Sequence, residues 1–203
     1  MKKILLTIAI FAVLPAFLSA QGTFNYAAQK SLIPKDLGKI YLGMTFKELA
    51  DEIALGKAVV VNHRFEWLEL LVPVKGKDVE SVRIRIHGLS QEEKAVMLVS
   101  ETASDGDEDE DIERIVVSRI PKSGFVYAMY VEFRPDFNLK SWALRTYGTG
   151  EARKEDDEFH FYDIQWTRKT SDGLDWLIRS FHEGETRELQ LLGRISGTEW
   201  DAS

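Results

Sequence analysis

The chain contains no cysteine. That excludes disulfides, thiolate metal ligands, thiol nucleophiles and a lipid anchor acylated on cysteine. Histidine is scarce, with four in 203 residues. His63, His87, His160 and His182 show neither the i, i+4 spacing of a helical zinc motif nor cysteine neighbours, so no metal site is read from them. Gly-x-Ser-x-Gly elbows, Ser-x-x-Lys sets and glycine-rich phosphate loops are missing. No catalytic residue and no cofactor site follow from the sequence. Positive charge is also in short supply, at 26 Lys+Arg against 33 Asp+Glu. An acidic balance argues against sequence-independent nucleic-acid binding, which needs a basic face. Beyond residue 18 no stretch is apolar enough to span a bilayer.

What is present begins with residues 1–20, which read as a signal peptide. Lys2 and Lys3 give a positive start, Ile4 to Leu18 an apolar run broken by Pro15, and Ser19-Ala20 small residues for cleavage before Gln21. The alternative, a membrane anchor, requires about 20 apolar residues. Cleavage leaves 183 of the 203 residues and moves the formal net charge from −7 to −9, because Lys2 and Lys3 leave with the signal. The expected location is periplasmic or extracellular, and 183 residues suffice to bury a core without disulfide staples.

Residues 21–38 read as a mixed N-terminal lead-in that adds at most a short strand. Thr45 and Glu48 then stand at capping-box spacing, with Met44 and Leu49 placed as a hydrophobic staple. Phe46, Leu49, Ala50 and Ile53 follow at helical spacing. Strands are expected at Val59–Val61, Phe65–Val72 and Ser81–His87. In the last, Val82, Ile84 and Ile86 alternate with Ser81, Arg83, Arg85 and His87. Ser90–Thr102 suits a helix or a strand. An acidic loop at 104–111 precedes an expected hairpin of Ile112–Ile120 with Phe125–Phe133, in which Phe125, Tyr127, Met129, Val131 and Phe133 share a face. A second helix opens at Asn138 and closes at Gly148. Gly150–Glu158 reads as a polar loop, followed by strands at Phe159–Arg168, Leu174–His182 and Thr186–Ile195.

The order gives an α+β class: two helix-plus-antiparallel-meander units, 39–134 and 135–203, packed as one body. The rival arrangement is one continuous sandwich with helices on a single sheet face.

Lys39-Ile40-Tyr41-Leu42-Gly43-Met44-Thr45-Phe46-Lys47-Glu48-Leu49 resembles the opening of small bacterial envelope modules. In these a Gly-Met-Ser/Thr turn precedes a helix and an antiparallel sheet, as in BamE (SmpA/OmlA) lipoproteins and tandem β-lactamase inhibitor proteins. Tyr147-Gly148 resembles the end of the second-unit helix. The resemblance implies the fold and an envelope setting. It brings no binding residues, and the lipid-bearing cysteine of BamE is missing here.

Asp105, Asp107 and Asp109 mimic the first ligands of an EF-hand, but Glu110 stands where glycine is needed and Val116 where a bidentate glutamate is needed. A solvated hairpin tip is the better reading. The 22 aromatics are mostly core-forming, yet a sheet covered on one side leaves some for a partner. Trp67, Tyr130, Tyr162, Trp166 and Trp176 are the candidate partner-binding residues. The expected function is therefore a non-enzymatic protein- or ligand-binding module with an envelope protein as partner. The alternative is an extracytoplasmic hydrolase using carboxylates or histidines, which needs titratable groups converging in a concave pocket.

Overall fold

The structure is a computed structural model that describes residues 24–53, 55–74, 76–105, 108–156 and 161–201. The expected signal peptide at 1–20, Asp107 and His160 lie outside the described residues.

Helices start where side chains can bond the first amides. For α2 (Phe46–Glu52), the Glu48 amide donates to Thr45 Oγ1 over 3.2 Å and the Thr45 amide donates to Glu48 Oε2 over 2.8 Å. α3 (Gln91–Met97) repeats the device with Ser90 and Glu93, at 3.1 and 2.8 Å. α4 (Leu139–Tyr147) opens on Asn138, whose Oδ1 accepts the Ser141 amide at 3.0 Å. Gly43 before α2 has φ +84°, and a Cβ there would lie 2.3 Å from Phe24 Cδ2. Both its conformation and its close packing require glycine.

The sheet strands are β1 (Val59–His63), β2 (Trp67–Pro73), β3 (Val79–His87), β6 (Phe125–Phe133), β7 (Glu151–Asp156), β8 (Phe161–Lys169), β9 (Asp175–Glu183) and β10 (Thr186–Gly193). They form one antiparallel eight-stranded sheet in the order β1-β2-β3-β6-β10-β9-β8-β7. Read inward from either edge, the order is one four-stranded meander preceded by a helix: α2 with β1, β2, β3, β6, and α4 with β7, β8, β9, β10. The two meanders join where β6 pairs antiparallel with β10. The fold is thus α+β with tandem units sharing one sheet. The first unit differs by an insertion between β3 and β6, made of α3 and the hairpin of β4 (Leu98–Asp105) with β5 (Glu108–Ile115).

One sheet face is dry. Leu68, Leu70, Val82, Ile84, Ile86, Met129, Val131, Ile178, Leu189 and Leu191 on it are fully buried. Leu42, just before α2, reaches this face beside Gly193. From α4, Trp142 meets Phe133 and Tyr147 meets Trp166. In its described residues, 24–38, the lead-in forms α1 (Tyr26–Gln29) and a 3-10 turn at Lys35–Leu37 rather than a strand. The buried Gln29 side chain bonds both the amide and the carbonyl of Leu42, at 3.0 and 2.9 Å, and donates to Asp172 Oδ2 at 3.1 Å. It clasps the first unit to the β8–β9 turn of the second.

Other expectations are corrected. Ile112–Ile120 does not pair with Phe125–Phe133. β5 folds back on β4, and β6 lies between β3 and β10. The apolar stripes of β3 and β10 give β6 partners on which it can bury its own, whereas β5 is largely acidic. Gly150–Glu158 is not wholly a loop, since Glu151–Asp156 forms β7. An edge strand bonds on one side only and tolerates charge, which helps protect the edge. Ser90–Thr102 is helix to Met97 and strand from Leu98. Phe125 and Tyr127 leave the face of Met129 and Val131: the ladder pairs Arg85 with Ala128 and Ile86 with Val126, skipping Tyr127 as a bulge, and sets Phe125 opposite His87.

Candidate functional site

Residues directly opposed in a ladder share a face. The second sheet face therefore carries Glu69 of β2, Arg83 and Arg85 of β3, Ala128 and Tyr130 of β6, and Glu188, Gln190 and Leu192 of β10. It continues through Leu177, Arg179 and Phe181 of β9 to Asp163 and Gln165 of β8. This face remains partly open to solvent: the Arg83 and Arg179 side chains are 40% and 36% exposed.

Its centre is a lattice of guanidinium groups, carboxylates and rings. Arg85 Nε donates to Glu69 Oε2 at 2.6 Å and its Nη1 to Glu199 Oε1 at 2.7 Å. The same guanidinium lies 4.4 Å from the Trp67 ring centroid and 4.8 Å from that of Tyr130. Arg83 bridges Glu69 Oε1 at 3.3 Å and Glu188 Oε2 at 2.6 Å, and stands 5.2 Å from the Tyr130 centroid. Gln190 Nε2 donates to the other Glu188 oxygen at 2.8 Å. Both carboxylates are buried and each accepts from two donors, which offsets their desolvation. Burial pushes the Tyr130 phenol up to about 12, against the pull of the Arg85 guanidinium. It therefore stays a neutral ring under the cations. The Arg85 guanidinium is held above its ordinary value: burial acts to lower it, but its bond to Glu69 and the neighbouring charges outweigh that.

The two units repeat one part of this lattice. Arg83 and Arg179 are each the central residue of a nine-residue strand, β3 and β9, and face Tyr130 and Gln190 across the β6–β10 junction. Each reaches diagonally to a carboxylate on the next strand out, Arg83 to Glu69 and Arg179 to Asp163. Arg179 does so through two bonds of 2.7 Å, and that hydrogen bonding raises its guanidinium above the ordinary value.

The structure brings Trp67 and Tyr130 together in the lattice, each against the Arg85 guanidinium, but both rings are themselves buried, at 6% and 7% exposure, beneath the arginines. Tyr162, Trp166 and Trp176 lie on the opposite, helix-covered face, and all three are buried. Tyr162 OH pairs with Ser180 Oγ at 3.3 Å, and the Trp166 indole donates to the Gly148 carbonyl at 2.9 Å. His63 sits near Glu113 at 3.3 Å, His87 ends β3, and His182 lies on β9 opposite Tyr162. The acidic stretch forms the distal part of the β4–β5 hairpin, with Ser104 paired to Asp109 and Asp105 to Glu108. The sequence reading missed Glu69, Arg83, Arg85, Asp163, Arg179 and Glu188. The signal for Arg83 and Arg85 was the strict alternation along β3. The carboxylates needed the strand register to be found.

Scanned against protein-family models, curated proteins and solved structures, the chain finds no match in any of the three.

Proposed function

We propose that this chain is an exported envelope protein that binds a partner protein through the open face of its eight-stranded sheet and catalyses no reaction. The observation that carries this reading is the lattice. Arg83, Arg85, Tyr130 and Trp67 are already fixed by carboxylates and by one another. A surface whose long side chains are ordered before binding loses less entropy when a partner docks. Arginine, the exposed part of the lattice, is also one of the residue types that dominate interface energetics, and the buried Tyr130 and Trp67 rings hold it in place. Around the lattice, Leu71, Leu177 and Phe181 offer half-buried apolar area on the same face. The signal-like N-terminus and the Gly-Met-Thr opening support the envelope setting.

The test is crosslinked affinity capture from envelope extracts, comparing the mature wild-type protein with an Arg83→Ala/Arg179→Ala variant whose fold is checked by circular dichroism. The reading expects a discrete partner that the folded variant fails to retain. Equal retention by both proteins would remove the open face from the account.

A further inference from the structure

The open face is not equally open along its length. In the row next to that of Arg83, Arg85, Ala128, Leu192 and Leu177 lie opposed across β3, β6, β10 and β9. Ala128 and Leu192 are buried although they stand on the partly solvated side, and so is Tyr127, the bulge residue beside them. The chain beyond β10 folds back onto this row. Arg194 still bonds the sheet, its amide donating to the Asp175 carbonyl at 2.9 Å, and Ile195 is buried. Glu199 Oε1 then accepts from Arg85 Nη1 at 2.7 Å and from the Tyr127 hydroxyl at 3.4 Å. Trp200 packs against the core, and a Cβ on Gly197 would stand 3.7 Å from His87 Nε2.

Residues 196–201 form a turn closed on itself. The Thr198 amide donates to the Ile195 carbonyl at 3.1 Å, the Asp201 amide to the Thr198 carbonyl at 3.0 Å, and the Gly197 amide to Asp201 Oδ2 at 3.0 Å. Among the described residues, no backbone hydrogen bond joins 196–201 to a strand. The turn is held to the face by the Glu199 and Trp200 side chains, so it can leave without breaking the ladder. One of these fastenings is imperfect: Trp200 Nε1 is buried and has no hydrogen-bond partner among the described residues. An unpaired buried donor is a cost that release into water removes.

Departure of the turn leaves two donors side by side. Arg85 keeps Glu69 through Nε, but its Nη1 loses an acceptor. The Tyr127 hydroxyl loses the same acceptor. Burial, and after it the Glu199 charge, pushes that phenol well above its ordinary value, so it stays protonated and donates. A carboxylate satisfies both donors at once, as Glu199 does.

We infer that residues 196–201 are a displaceable strap over one end of the docking face, and that the partner segment replacing it carries a carboxylate for Arg85 and Tyr127 beside an apolar ring for the place of Trp200. The strap is an internal stand-in for that segment and keeps the row closed until the partner competes it away. The inference rests on the partner-binding reading above and adds to it the position and chemistry of one contact.

The experiment is titration of the isotope-labelled mature protein with a synthetic peptide of residues 195–201, followed by chemical shifts, in the wild type and in a Glu199→Gln/Trp200→Ala variant. Saturable shifts at Arg85, Tyr127, Ala128 and Leu192 are expected in the variant. The wild type should bind the peptide roughly tenfold more weakly, because its tethered strap competes for the same place. A peptide carrying both substitutions should bind neither protein. Glu199→Gln alone should give an intermediate affinity, and it serves as the receptor if the double variant fails to fold. Shifts that do not saturate, that fall elsewhere, or that are equal in wild type and variant overturn the inference. Peptide binding at this row with no envelope partner crosslinked to the face supports the strap site and removes the protein-partner reading. A crosslinked partner without peptide binding does the reverse.

Discussion

Gln29→Ala tests how the two units are held together. The wild-type amide makes three hydrogen bonds, two to the backbone of Leu42 and one to Asp172. Leu42 is fully buried, so truncation leaves its N–H and C=O without a partner in a dry site. An unsatisfied buried polar group costs about 1–3 kcal/mol, and partial access of water moderates the sum. The expected loss is about 2–4 kcal/mol. For a chain of this size a loss of 3 kcal/mol lowers Tm by roughly 6–12 °C. Asp172 feels the change as well. Burial acts to raise its carboxyl, but hydrogen bonds from Thr170, the Asn25 amide, Gln29 and the Leu174 amide outweigh that and hold it below its ordinary value. This group therefore stabilises the fold above its unfolded pKa, and the contribution is lost as pH falls through the depressed folded value. The assay is urea unfolding near neutral pH, with Lys30→Ala as the exposed neighbour for comparison. The expected result is a lowered midpoint at unchanged slope. A Gln29→Ala loss below about 0.5 kcal/mol, the level of an ordinary surface change, would refute the clasp.

Two further outcomes follow from the lattice and its rim. Glu69→Gln keeps the size of the side chain but removes the charge that Arg83 and Arg85 share; with Glu188 and Glu199 still in place, denaturation should show a loss of about 1–3 kcal/mol, and an unchanged midpoint would mean the lattice is not a stabilising unit. His87, at the end of β3, has its imidazole pKa lowered, chiefly by burial, from an ordinary value of 6.5. Its stabilising contribution is present above that value and lost as pH falls through the lowered one. The wild-type Tm should therefore drop as pH falls below 6.5, and His87→Gln should flatten that slope; parallel profiles would contradict the burial argument.

Much of the fold was legible because local and long-range signals agreed. Thr45 and Glu48, or Asn138 and Gly148, mark helix ends within a few residues of sequence, and the alternation of Val82, Ile84 and Ile86 fixes which side of β3 is dry. The hairpin assigned to Ile112–Ile120 failed because proximity in sequence suggested a partner that burial did not favour. β6 gains more by lying between two apolar strands. Gln29 was invisible, since one polar residue in a mixed segment gives no sign that it will bond Leu42 and Asp172 far along the chain. The candidate site was half legible: Trp67 and Tyr130 stood out as aromatics, but the carboxylates that order their arginine neighbours depend on register. Tyr162, Trp166 and Trp176 carry the same chemistry on the other face, and a single residue's type does not say which way its strand is turned.

The central claim, that the open sheet face is where a partner docks, is tested most directly by site-specific photo-crosslinking. A photoreactive side chain replaces Gln190, which sits opposite Tyr130 at the β6–β10 junction, or Leu144, which is exposed on α4. The account predicts a discrete partner adduct from position 190 in envelope preparations and none from position 144. An adduct from position 144 with none from position 190 would contradict it.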